Sequence, residues 1–228
     1  MNTAFAQADT IITNRNPIAA PRVGGNDHFL MQFGLTRWQG KPDSINTKGS
    51  SRSFNVYFMF AFPFKTNPQW SVAIGPGLAT DHIFFDATYV GIKDPTNTLA
   101  FRDLSDTSHF DKYKLSTAYL EAPVELRFTL HPERTKSFKV AVGAKVGTLL
   151  SAWVKGKDFV DKNGNSIMDY ISKEKSKSFF NTNRLSLMGR IGYGNFSAFV
   201  SYAVNPLLKE GVGPTVRPMT IGLTLSGL

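Results

Sequence analysis

Apolar and polar residues alternate along most of this chain with a period of two. The clearest stretch runs from Lys112 to Lys155, KYKLSTAYLEAPVELRFTLHPERTKSFKVAVGAKVGTLLSAWVK, where two alternating runs are joined by the polar turn HPERTK. In the first run Leu120, Ala122, Val124, Leu126, Phe128 and Leu130 share one parity, and Glu121, Glu125 and Arg127 take the other. In the second, Val140, Val142, Ala144, Val146 and Leu150 oppose Ala141, Gly143, Lys145, Gly147 and Ser151. Successive side chains of an extended backbone point to opposite faces, so the stretch predicts a β-hairpin. Both strands exceed the roughly 5–6 residues usual in soluble sheets and reach the roughly 9–11 that cross a bilayer.

Six further runs follow the same rule. His28–Arg37 sets Phe29, Met31, Phe33 and Leu35 against Gln32, Gly34 and Thr36. Ser53–Phe64 sets Phe54, Val56, Phe58, Phe60, Phe62 and Phe64 against Asn55, Tyr57 and Ala61. Trp70–Thr80, Asn183–Tyr193, Phe196–Asn205 and Val216–Ser226 complete a predicted set of eight strands. The connections Lys65–Gln69, His131–Lys136 and Gly194-Asn195 are short, whereas Trp38–Arg52, Asp81–Asp111, Gly156–Thr182 and Pro206–Thr215 are long. Short turns at one end and long loops at the other, with an even strand count, predict an all-β, eight-stranded antiparallel up-and-down transmembrane β-barrel. Both termini then fall on the periplasmic side. His82–Ile92 is itself strand-like and is expected to extend the third strand or to form a hairpin above the membrane.

The second parity distinguishes a membrane barrel from a soluble lipocalin-like barrel or sandwich. A soluble barrel would bury the apolar parity and expose a polar one rich in Lys, Glu and Thr. Here the second parity is mostly Gly, Ala and Ser, which suits the crowded lumen of a small barrel whose interior side chains just fill it. Aromatic residues also gather near the predicted rims. Phe29, Phe64, Trp70, Phe128, Phe138, Tyr193 and Phe196 fall near the short turns, and Trp38, Phe54, Trp153 and Phe180 near the long loops. Two aromatic girdles are expected at the two membrane–water interfaces.

Composition changes this picture little. The 228 residues are 42% hydrophobic and 19% charged, which excludes a disordered chain. No apolar run approaches the roughly 20 residues of a transmembrane helix. There are no cysteines, hence no disulfide framework and no thiolate site. The formal charge of +9 is scattered rather than gathered in one stripe, so no nucleic-acid partner is expected. Residues 1–27 lack periodicity, and Ala4-Phe5-Ala6 fits a small-x-small cleavage site. They are expected to be a signal-peptide remnant and flexible periplasmic tail ahead of a barrel domain at 28–228.

The run Tyr119-Leu120-Glu121-Ala122-Pro123-Val124-Glu125-Leu126-Arg127-Phe128, preceded by Lys114-Leu115 and followed by the Gly-Ala-x-x-Gly strand at Val142–Gly147, resembles the PorT-like outer-membrane β-barrel family. The resemblance covers most of Phe29 to Leu228, with Tyr119–Arg127 its most specific part. It implies an eight-stranded, OmpX-like barrel, and one branch of that family assists a protein secretion system. The chain departs from the usual pattern at Ser226-Gly227-Leu228, which lacks a terminal aromatic.

Candidate chemistry is sparse. Glu121, Glu125, Arg127, Lys145, Arg184 and Arg190 all carry the inward parity and are expected to form an ion-paired network filling the lumen, since buried charges must be paired. Parity also limits the register of the central hairpin: the numbers of paired residues must sum to about 266 or 268. The first sum sets Glu121 opposite Lys145; the second sets Lys145 opposite Pro123, diagonal to Glu121 and Glu125. Eight strands leave no continuous aqueous channel, so a porin is not expected.

The DxNGN run at Asp161–Asn165 resembles the middle of a calcium loop. With Gly164 at the sixth position, however, Phe159 and Tyr170 occupy positions that need oxygen ligands. A polar turn is expected there, with no metal and no cofactor. Asp81–Asp111 holds His82, His109, Ser105, Ser108, Asp86, Asp103 and Asp106, the residue types of a serine–histidine–acid set. These are also ordinary loop residues.

The expected function is therefore a non-enzymatic interaction or scaffold component of the outer membrane, accessory to a secretion or assembly complex. The alternative is a lipid-modifying enzyme, a lipid A acyl hydrolase or transferase, using the 81–111 loop. The loops also carry Lys48, Arg52, Lys155, Lys157, Lys162, Lys173, Lys175 and Lys177. Of these, Lys173, Lys175 and Lys177 are expected to contact the phosphates of lipopolysaccharide. The expected partners are outer-membrane lipid, lipopolysaccharide and a protein in the same membrane.

Overall fold

β-branched and aromatic residues in strict alternation leave the backbone little choice but extended pairing. The computed structural model describes residues 28–134 and 136–227; the expectation for residues 1–27 lies outside them. The strands are β1 (Phe29–Gln39), β2 (Arg52–Phe58), β3 (Phe60–Pro63), β4 (Trp70–Ile74), β5 (Gly77–Phe85), β6 (Thr88–Gly91), β7 (Ala100–Asp103), β8 (His109–Thr129), β9 (Phe138–Val160), β10 (Ser166–Lys175), β11 (Asn183–Tyr193), β12 (Phe196–Ala203) and β13 (Arg217–Ser226).

Pairing runs from β1 to β2, β5, β8, β9, β11, β12 and β13, and β13 pairs back with β1, so the sheet closes on itself. Each neighbouring pair is antiparallel. The hairpin β3–β4 continues β2 and β5 toward the short-turn end, past a break at Met59 and at Gly75-Pro76. Counted this way, the ring has eight members, and closure removes the unpaired edge of an open sheet. At the short-turn end Gly194, with φ of +60°, turns β11 directly into β12, a geometry that favours a residue without Cβ.

Outward residues on the ring are apolar and exposed: Phe33, Phe62, Leu78, Leu120, Val142, Val146, Leu187, Ile221 and Leu223 among them. Phe64, Trp70, Phe138, Tyr193 and Phe196 project outward near the short turns, as a girdle requires. The long-loop end differs. Trp38 carries the same parity as Gln32 and Thr36 and is buried, with its ring 5.6 Å from Phe85 and 6.3 Å from Phe101. Phe180 is buried as well. Neither belongs to an outer girdle; both pack inside.

They pack inside because the long loops fold over the mouth of the ring. Ile83, Phe85, Leu115, Leu149, Ala152 and Val154 line the inner wall there and form one apolar cluster with Val90, Ile92 and Leu99, and with Phe179, Phe180, Leu207, Leu208 and Val216 from the remaining loops. The hairpin β6–β7 rises from the end of β5, so His82–Ile92 both extends a strand and starts a hairpin. Tyr113 Oη on β8 donates to the Val90 carbonyl oxygen at 3.1 Å and ties that hairpin down.

Two features lay beyond the alternation rule. The β8–β9 register follows the sum 268, with Pro123 opposite Lys145 and Glu121 opposite Gly147, up to Tyr119 opposite Leu149. There a bulge inserts one residue into β9, and Ala118 pairs with Ser151. Ser151, which alternation assigns to the inward parity, consequently shares the outward face with Trp153 and Lys155. The inner wall above becomes Ala152 and Val154, which is why it turns apolar. Gly156–Thr182, expected as a loop, instead carries β10, which pairs with the upper part of β9 as a projecting arm.

Candidate functional site

Inside the lower ring the charged residues of β8, β9 and β11 meet in two groups. Arg184 donates through Nε and Nη2 to Glu121 Oε1 at 2.9 and 2.5 Å, and through Nη1 to Asp81 of β5. Glu121 Oε2 accepts from Tyr57 Oη at 2.5 Å and lies 3.5 Å from the Lys145 ammonium. The Arg184 guanidinium also stacks 3.8 Å from the centre of the Tyr119 ring. The second group is Glu125 with two arginines: Arg127 Nε at 2.6 Å and Arg190 Nη2 at 3.1 Å, both on Oε2.

All these side chains are buried. Gly143 faces Glu125 across the pair, and a Cβ on it would stand 2.0 Å from the Val124 carbonyl oxygen, so the backbone there admits only glycine. A polar layer adjoins the ions, with Gln32 Nε2 donating to Thr224 Oγ1 at 3.1 Å and the Thr36 and Thr220 hydroxyls 2.9 Å apart. The space left between Ser53, Asp81, Lys145, Arg184, Ser201 and Thr220 is about 20 Å³, enough for one water molecule.

The structure thus brings together all six charged residues read from parity. It adds Asp81, Tyr57 and Tyr119. Tyr57 was legible from its parity, and Asp81 was obscured because the third predicted strand stops at Thr80.

The 81–111 segment does not assemble the chemistry its composition allows. His82 Nδ1 lies 2.8 Å from Ser116 Oγ, a serine with no exposed surface. Asp81, next to His82, points to the other face of β5 and is held by Arg184. Burial, and then the nearby Lys114, hold the His82 imidazole below its ordinary pKa. His109 Nδ1 meets the Thr107 carbonyl oxygen at 2.9 Å, and Asp103 caps the Ser105 amide at 2.9 Å, which holds its carboxyl below the usual range. Among the described residues no serine, histidine and carboxylate share a cleft there. At the tip of the arm, Asp161 Oδ1 accepts from the Asn163 and Asn165 amides at 2.8 and 2.9 Å, and these bonds make a tight polar turn between β9 and β10.

Lys173 and Lys175 lie on the outward face of the arm, and Lys177 just beyond it; all three are exposed. Lys173 Nζ sits 5.7 Å over the Trp153 ring. Ile167, Met168, Tyr170 and Ile171 on β10 are exposed too, and among the described residues β10 pairs only with β9.

A closed ring of eight antiparallel strands, apolar outside and ion-paired within, is a transmembrane β-barrel of the outer-membrane class. The chain belongs to the family described as outer membrane protein beta-barrel domain, which matches residues 19–209, and is accordingly a protein of the bacterial outer membrane. A search of curated proteins finds no match. Two solved structures of Ail, the attachment invasion locus protein of Yersinia pestis, align over 87% of this chain and 94% of theirs. One, in complex with the heparin analogue sucrose octasulfate, is 16% identical with a TM-score of 0.37; the other is 14% identical with a TM-score of 0.39.

The wall permits a direct check. Val142 is 56% exposed within the apolar outward run Val140–Val146 of β9, so Val142→Arg should destabilise the barrel by about 2–4 kcal/mol in bilayers. A spin label at Val142 should report lipid, and one reporting water would reverse the inside–outside assignment.

Proposed function

We propose that this protein is a non-conducting, non-enzymatic interaction barrel, seated in lipopolysaccharide, which presents the β9–β10 arm to a protein partner in the same membrane. The reading rests chiefly on the closed interior: ions fill the lower lumen and an apolar cap fills the upper one, so the surface left for function is outside. The arm supports it. A strand paired on one edge only, with Ile167, Met168 and Ile171 exposed, is a template for a partner strand. The ends of the described chain meet at the short-turn end, where the Gly227 amide donates to the Phe29 carbonyl oxygen at 3.1 Å. In this reading both termini are periplasmic and the arm is extracellular. The Tyr119–Arg127 run supports a PorT-like membership and, with it, an accessory role in a secretion or assembly complex.

The test is co-purification from native membranes in mild detergent. Ile167→Asp with Ile171→Asp should lose the partner while the barrel still folds, and reconstituted wild-type protein should show no steady conductance. Retention of the same partner by the arm variant would overturn the assignment. For the lipid component, Lys173→Gln, Lys175→Gln and Lys177→Gln together should lower the lipopolysaccharide that co-purifies, with the loss shrinking at high salt. An unchanged lipid content would rule against it.

A further inference from the structure

Where the apolar wall ends, the strand register lines up two rows of outward side chains on neighbouring strands. The lower row is Arg52, His82, Ser116, Trp153 and Lys175; the upper row is Phe84, Lys114, Lys155 and Lys173. Lys114, Lys155 and Lys173 are thus direct cross-strand neighbours on three strands spaced about 4.8 Å apart. Like charges placed directly opposite each other destabilise a sheet. Arg52 adds a fourth cation from β2: its guanidinium lies 5.2 Å from the centre of the Phe84 ring, and the Lys114 ammonium lies 5.6 Å from the same ring.

The surrounding carboxylates leave this cluster unpaired. Asp158 takes Lys112 and Lys157 at 3.7 and 3.3 Å, Asp111 takes Lys112 at 3.7 Å, and Asp86 takes Lys48 at 3.3 Å. Among the described residues none of Arg52, Lys114, Lys155 and Lys173 is ion-paired with a carboxylate. Burial, and then the Lys155 and Arg52 charges, hold the Lys114 ammonium below its ordinary pKa, which an anion at this spot would relieve. The next row down is Phe54, Thr80, Ala118 and Ser151, and below it Leu78, Leu120 and Leu150 are exposed on the wall. Cations above a wall that carries exposed leucines a few rows down match an amphiphile with an anionic head and long hydrocarbon tails.

We propose that Arg52, Lys114, Lys155 and Lys173 form a binding site for the phosphorylated head of an outer-leaflet glycolipid of the lipid A type, whose acyl chains lie on Leu78, Leu120 and Leu150. The site deepens the lipopolysaccharide part of the preceding reading and rests on it. The Phe84 ring holds Arg52 and Lys114, and the Trp153 ring holds Lys173, extended by cation–π contact, so little ordering of these three remains when the phosphate arrives.

The probe is bisphosphorylated lipid A, titrated into the purified full-length barrel in detergent micelles and read by native mass spectrometry. Wild type should bind it at least about tenfold tighter than the same lipid dephosphorylated. Lys114→Gln with Lys155→Gln should remove about tenfold or more of that affinity, whereas Lys93→Gln with Lys162→Gln, exposed loop lysines outside the cationic strip, should change it by no more than about threefold. In lipid-A-free micelles the Lys114/Lys155 variant should unfold no more readily than wild type, because mutual repulsion is relieved. Should Lys175→Gln with Lys177→Gln lose binding while the Lys114/Lys155 variant keeps it, the strip is refuted and the broader lipopolysaccharide reading stands. Equal binding of both lipids by wild type refutes both. Displacement of lipid A by equimolar inorganic pyrophosphate would mean a site for free phosphate, which overturns the lipid assignment.

Discussion

Glu125→Gln is expected to destabilise the barrel by about 3–5 kcal/mol, the range for removing one partner of a buried ion pair. Arg127 and Arg190 both bond to this carboxylate, at 2.6 and 3.1 Å, and neither has another carboxylate partner among the described residues. The substitution keeps the shape and leaves two guanidiniums facing each other in a closed lumen. Arg127 Nη2 and Arg190 Nε already lack a protein partner there, so little remains to take up the load. Glu121 sits in a better supplied group. Lys145→Met leaves it with Arg184 and Tyr57, at a smaller cost of about 1–3 kcal/mol. Adding Glu121→Gln to Lys145→Met leaves the neutral Arg184–Asp81 pair, so the double variant should be more stable than Lys145→Met alone. Urea unfolding in phospholipid vesicles, followed by tryptophan emission, ranks the variants. A Glu125→Gln barrel within about 1 kcal/mol of wild type would mean that water screens these charges.

Phe85→Ala is expected to cost a similar amount, about 3–5 kcal/mol, by leaving a cavity at the centre of the cap. Phe85 is 1% exposed, and its ring centre lies 5.6 Å from Trp38 and 6.4 Å from both Phe101 and Tyr113. The loss should stay mainly local, because the ring below is held by backbone pairing and ions, which meet this cluster at Tyr119 under the Arg184 guanidinium. Amide hydrogen exchange should rise in β6 and β7 and leave β11 and β12 unchanged, while the buried Trp38 indole shifts to longer emission. Uniform loss of protection, or an unmoved Trp38 emission, would show that cap and barrel are one cooperative unit.

How legible each feature was in the sequence depends on whether its cause is local. Alternation is a property of the extended backbone, so it separates Leu120, Val124 and Leu126 from Glu121, Glu125 and Arg127 without any tertiary information. It also leaves only two registers for the β8–β9 hairpin. Trp38 was readable by the same rule, since it shares its parity with Gln32 and Thr36; its nearness to a rim pointed the other way, and parity was the better guide. The bulge at Leu150 was not readable. One inserted residue in β9 leaves the composition unchanged, yet it moves Ser151 outward and turns the upper inner wall apolar.

Period-two patterning alone specifies the barrel class, the apolar outer wall and the set of ions that face inward. The folded arrangement was needed to show that Asp81 joins Glu121 on Arg184 and that the 81–111 loop packs as an apolar cap. It alone placed Lys114 beside Lys155 and Lys173. Those arrangements bring together residues far apart in the chain, and their neighbours are set by ring closure and strand register, which no local pattern encodes.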